Sequence, residues 1–188
     1  MWLRDRLSVA ERGLSLLEQK LHILEQELAR RQARAEATRN DWRAACVRAH
    51  DQLLRANLLG GQLSLSHAMP SDGADITISK ATSTGVSYPS TVECQLRSCP
   101  DDTSIIDSAT VAQARTACRS AVTAAAQHAV AVAAVRALEN ELTATRTRAQ
   151  GLRRRRIPAL RTELRRVELE LDEQEHAETI RLRWVARR

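Results

Sequence analysis

The side chains of this 188-residue chain best suited to metal binding or nucleophilic chemistry are five histidines (22, 50, 67, 128 and 176) and four cysteines (46, 94, 99 and 118). Their spacing supports neither use. Zinc sites draw on closely spaced Cys or His pairs, and no two histidines form one. Cys46 and Cys118 stand alone in helical stretches, where a small buried side chain is the ordinary reading. Cys94 and Cys99 flank a loop before Pro100. Their pairing stays open, although a chain without an export signal keeps its thiols reduced. Six glycines are present, and none forms a phosphate-cradling G-x-x-x-x-G-K loop. Serine, cysteine and acidic residues form no recognisable nucleophile-and-base set. The chemistry left is that of charge: Arg153, Arg154, Arg155 and Arg156 are consecutive and run into Ile157-Pro158.

That run is part of a wider imbalance. The net charge is +6, and from Thr143 to Arg188 thirteen arginines face seven acids, which accounts for the whole surplus. Such a stripe attracts phosphates, acidic lipids or an acidic protein surface, or is simply a solvated helix face. The composition says what must carry it. There is no Phe, Tyr88 is the single tyrosine, and Leu, Ala, Glu and Arg dominate. A globular core draws much of its area from aromatics, so long helices packed through thin seams are expected instead. The opening MWLRDRLSVAERG has no apolar core of the signal-peptide kind. The longest uncharged helical run, Ser120 to Val135, falls short of the ~20 residues that span a bilayer. Neither export nor membrane insertion is expected.

The first element has an unusually regular pattern. Leu3, Leu7, Ala10, Leu14, Leu17, Leu21, Leu24 and Leu28 follow steps of four and three, the seam of a heptad coiled coil. The frame continues through Arg31, Ala35, Trp42, Ala45 and Ala49, then slips one residue to Leu53 and Ala56. Gly60-Gly61 is expected to end the helix, or at least to weaken it strongly. Residues 60–104 change period to two, with Ile76 and Ile78, then Val86 and Tyr88, then Val92, Cys94 and Leu96. With Thr84-Gly85 between the first two runs and Pro89 beyond, one short β-hairpin or two are predicted, leaning on a helix end because a lone hairpin is marginal. Asp102, Thr103, Asp107 or Ser108 can cap a second long helix. In it, Leu138, Leu142, Thr145, Ala149 and Leu152 hold one frame. Ile157, Leu160, Leu164, Val167 and Leu171 hold another, offset by one residue at the arginines and Pro158, where a proline kink is expected.

The predicted architecture is mainly α. A helix over 1–59 and another over 105–188 pair as a long antiparallel coiled coil, and residues 60–104 form a small hairpin head. If the two tips are level, paired residue numbers sum to about 186. Trp2 then neighbours Trp184, and Arg31 faces Arg153–Arg156. Four successive residues cover about 300° of an α-helix, so at least one arginine is expected at or beside the seam. A narrow two-helix element also lacks the concave pocket catalysis needs. No active site, cofactor or metal is expected.

Three stretches, in order, resemble the D subunit of vacuolar/archaeal-type rotary ATPases, the rotor of the central stalk. They are LRDRLSVAERGLSLLEQKLHIL; the hairpin residues Gly85-Val86 and Pro89; and ALENELTATRTRAQGLRRRRIPALRTELRRVELELDEQE with its Ile157-Pro158-x-Leu160 element. Gln150-Gly151-Leu152 departs from the family's Asn-Ala-Leu. The resemblance implies a shaft whose paired terminal helices enter a ring of A and B subunits. A small F subunit grips its side, and a funnel-shaped subunit links it to the membrane rotor ring, on the cytoplasmic side. Trp2, Arg153 to Arg156 and Trp184 become candidate partner contacts, with no direct nucleic-acid partner and no direct membrane insertion. Two other readings use the same residues. One is a nucleic-acid-binding coiled coil, whose binding would fall steeply with salt. The other is a scaffold coiled coil, which accounts for the heptads but not for the hairpin or the Ile-Pro element.

Overall fold

A computed structural model describes residues 2–67, 73–96 and 109–187. It is mainly helical. Helix α1 spans Trp2–His67, and strands β1 (Ala74–Ser83) and β2 (Val86–Leu96) form an antiparallel pair. Helix α2 spans Ala109–Gly151, a π-turn covers Leu152–Arg156, and helix α3 spans Ile157–Val185. The proposed caps at 102, 103, 107 and 108, and Cys99 with its pairing to Cys94, lie outside the described residues.

Gly60-Gly61 does not end α1, which runs on to His67. Each glycine costs ~0.5–1 kcal/mol against alanine. A helix already nucleated gains a hydrogen bond for each residue added, so two glycines weaken its propagation without stopping it. The expected slip at Leu53 is also absent. Gln52 is the half-buried residue and Leu53 faces out, so Ala45, Ala49, Gln52 and Ala56 keep the four-three alternation. Helical phase, set by the buried alanines on either side, overrides the greater hydrophobicity of one leucine.

The chain divides into two compact units. One joins Met1–Ile23 to Leu142–Arg188, and the other is Leu24–Glu141. In the first, Arg4 pairs with Glu168 at 2.7 Å, Glu11 with Arg161 at 2.7 Å and Glu18 with Arg153 at 3.4 Å. One number falls as the other rises, so these segments run antiparallel. The paired numbers sum to 171 or 172, not 186. The difference of about fourteen residues is two heptads. A heptad seam is nearly unchanged by a shift of seven, and it is the ion pairs that distinguish the registers. Glu18, rather than Arg31, therefore faces Arg153. Trp2 lies level with residues near 170, roughly 21 Å along the helix from Trp184 at 1.5 Å per residue. Burial agrees. Ile157 and Leu160 are buried and Leu164 is half-buried, but Val167 is at the surface and Leu171 is 53% exposed. On α1, Leu3, Leu7, Leu14, Leu17, Leu21 and Leu28 are half-buried, while Leu24, in the other unit, is fully buried.

In the second unit, Ala56 of α1 packs with Val111 and Ala114 of α2. Trp42 stacks on His128 with ring centroids 5.5 Å apart. By length and composition alone, the α2–α3 run holds a stretch that could cross a bilayer, contrary to expectation. Only 22% of that stretch is buried in this fold, although Val130 and Ala134 of α2 are buried and His128 is engaged by α1. Among the described residues there is one hairpin, with strands of ten and eleven residues. Thr84 and Gly85 form its two-residue turn at φ 48° and 80°, the positive pair that matches strand twist in hairpins. The register shifts at Ser79/Lys80, where Thr91 and Pro89 are the successive partners and Ser90 is left over. The bulge accommodates Pro89, which has no N–H to give a ladder.

Candidate functional site

The hairpin is held against the flank of α1 rather than a helix end. Tyr88 is its one buried side chain, 3% exposed. Its hydroxyl donates to Glu27 at 3.1 Å and accepts from Arg31 at 3.1 Å. Arg31 also lies over the Tyr88 ring at 4.9 Å and donates to Glu27 at 2.8 Å. The Arg31 hydrogen bond is the main reason the Glu27 carboxyl is held below the ordinary glutamate range. Burial opposes it, and Tyr88 and Arg30 add to it. Glu27 and Arg31 are visible in the sequence as an i,i+4 helix pair. That Tyr88, sixty-one residues from Glu27, completes the set has no local signal.

The same unit holds a cleft of about 160 Å³ between β2 and the helices, lined by Arg31, Arg34, Thr38, Pro89, Thr91 and Gln127 among others. The buried Thr38 hydroxyl donates to the Arg34 and Ala35 carbonyls and sits 3.4 Å from His128 Nδ1. Since its proton goes to the backbone, that contact closes when Nδ1 carries the hydrogen. His128 is thus positioned for packing, between Trp42 and Thr38. Burial pushes the Cys118 thiol up, away from the reactive thiolate. Among the described residues no three His, Cys, Asp or Glu side chains converge as a metal site.

Arg153 to Arg156 are all exposed: none is buried in the seam, and Arg153 lies beside it, paired with Glu18 of α1. The Ile157 N–H bonds to the Leu152 carbonyl, five residues back, which is the π-helical pattern. Pro158 directly follows the widened turn, inside a continuous helical run, where the regular i→i−4 ladder is already interrupted. The one-residue frame offset therefore comes from the widened turn, which holds one extra residue, rather than from a proline kink. The structure brings Arg153 to Glu18 and leaves Arg154, Arg155 and Arg156 without a side-chain partner among the described residues.

The remaining predicted positions are scattered. Trp2 is exposed and carries Arg6 over its ring at 4.5 Å. Trp184, 62% exposed, is on α3 beyond the last ion pair with α1. On β1, Ile76 and Ile78 are half-exposed, facing Cys94 and Val92 across the ladder, while Gly85, Val86 and Pro89 lie at the turn and on β2.

Long paired helices, a docked hairpin and a positively charged turn are features that a stalk or binding element would have. A family model described as the D subunit of ATP synthase matches residues 1–187. The chain belongs to that family, the D stalk subunits of V/A-type ATP synthases. No individually curated protein matches it.

Proposed function

We propose that this chain is the central rotor shaft of a V/A-type rotary ATPase. It couples ATP hydrolysis or synthesis in a ring of A and B subunits to proton or sodium transport, by turning on the cytoplasmic side of the membrane. The observation that carries this reading is the family match along residues 1–187. The exposed apolar side chains at the end of α3 support it: Ile180, Leu182 and Val185 are about two-thirds exposed, and a surrounding ring would cover them. The small F subunit and the funnel-shaped subunit complete the partner set. The chain has no catalytic role, and its contribution is mechanical. Trp2, Trp184 and the four arginines are its contacts with the ring, and the widened turn makes the shaft unsymmetrical where those arginines sit.

Co-expression with the A, B and F subunits should yield one complex that hydrolyses ATP. Replacing Arg153 to Arg156 with alanine in that complex should leave hydrolysis measurable and sharply lower ATP-driven ion pumping. A chain that purifies free of all three subunits would reject the rotor reading. Unchanged pumping would reject the mechanical role of the arginines.

A further inference from the structure

The π-turn interrupts a pattern that is otherwise unbroken. From Leu138 the seam runs through Leu142, Thr145, Ala149 and Leu152, then Ile157, Leu160 and Leu164. Every step is four or three except the step of five across Arg153–Arg156. Removing any one of the four arginines would restore the alternation. With regular α-geometry, four successive positions cover about 300°, and at least one guanidinium would be forced onto the seam and lose water. The five-residue turn takes the seam from Leu152 to Ile157 in one revolution and leaves all four arginines outside.

We propose that this turn is a one-residue insertion that displays Arg154, Arg155 and Arg156, with Arg148, as a guanidinium collar for a concave, carboxylate-lined protein surface. The local charge is high: between Thr143 and Arg166 there are nine arginines and one acid, Glu163. The facing α1 segment adds little compensation, since Glu11 and Glu18 are already committed to Arg161 and Arg153. Three features favour protein carboxylates over a polyanion or a membrane. The patch from Arg148 to Arg161 extends only about 20 Å along the axis. Asp172, Glu173, Glu175 and Glu178 follow it and would repel a continuing phosphate backbone. The collar also fans around the helix, so a flat lipid surface would reach only part of it. Guanidinium and carboxylate match as planar, bidentate partners, and carboxylates are what the neighbouring arginines already hold. The proposal builds on the shaft reading, but its test uses the isolated full chain, so either can fail without the other.

The probe is fluorescein-labelled poly-glutamate, followed by anisotropy at physiological salt. Duplex DNA and vesicles containing anionic lipid are the comparison arms. The variant R154Q/R155Q/R156Q should bind poly-glutamate about tenfold more weakly, three exposed charge contacts being lost. R181Q/R183Q/R187Q, with the same change in net charge, should differ from wild type by less than about twofold. Deleting Arg155 should give an uninterrupted seam, a melting temperature equal to or above wild type, and probe binding only about twofold weaker, since one charge is lost and the others stay outside the seam. Equal losses in the two triple variants would overturn the collar, and so would a single deletion that weakens binding as much as the triple variant. DNA or vesicles held more tightly than poly-glutamate would overturn the choice of partner. A deletion that unfolds the chain would overturn the insertion.

Discussion

Replacing Tyr88 with alanine should release the hairpin while leaving the helices folded. Tyr88 is the only side chain of the two strands that is fully buried, and truncating a buried aromatic costs ~3–5 kcal/mol. A two-stranded hairpin without a surface to cover is marginal in water, so that loss is enough to undock it. Hydrogen exchange in Ala74–Ser83 and Val86–Leu96 should become fast, with α1 and α2 still protected. Tyr88→Phe keeps the ring and removes the hydroxyl bridge to Glu27, and should cost only ~1 kcal/mol. Strands still protected in the alanine variant would show that the anchor lies elsewhere.

The same contact gives a pH dependence of known sign. The Arg31 hydrogen bond holds the Glu27 carboxyl below its ordinary value. Folding therefore favours the ionised form, and the stabilisation is present above the unfolded glutamate value of about 4.3. It is lost as the pH falls through the lower, folded value. Tyr88 is the single tyrosine, so isotopic labelling gives one reporter. Its resonance should stay constant at neutral pH and shift only under more acid conditions, and Glu27→Gln should remove that transition.

The second large effect belongs to Leu24. It is fully buried, and Leu24→Ala should cost ~2–5 kcal/mol. Leu17, at an equivalent heptad position, is half-buried, and its truncation should cost about half as much. Leu58→Ala, at an exposed position, and Arg12→Ala should both fall within about 0.5 kcal/mol of wild type. Denaturant titrations followed by helical circular dichroism would rank them. A Leu24 variant no weaker than the Leu58 variant would mean that the buried face of α1 is misassigned.

These rankings show which parts of the fold are legible in the sequence. The leucines from Leu3 to Leu28 mark their face directly, because a sustained period is a strong local signal. The phase at Gln52 and Leu53 is not legible, since it depends on neighbouring turns rather than on either side chain. Nor is the register. A displacement of two heptads leaves seam against seam, and only Glu11, Glu18 and Glu168 finding their arginines resolves it. The frame offset at Arg153–Arg156 is visible as a number. Its cause is not, because Pro158 offers a familiar origin for a kink while a widened turn has no residue type of its own. The hairpin is legible from Thr84-Gly85 and its alternating residues. Its docking through Tyr88 is not, because contacts between residues far apart in sequence leave no periodicity.

The most direct test of the rotor reading is to watch this chain inside an assembled complex. With Cys46, Cys94, Cys99 and Cys118 replaced by alanine, Thr77→Cys on the exposed face of β1 would carry a gold probe, and the A/B ring would be fixed to glass. On adding ATP, the probe should turn in one direction in discrete steps. A complex that hydrolyses ATP while the probe stays still would contradict the assignment.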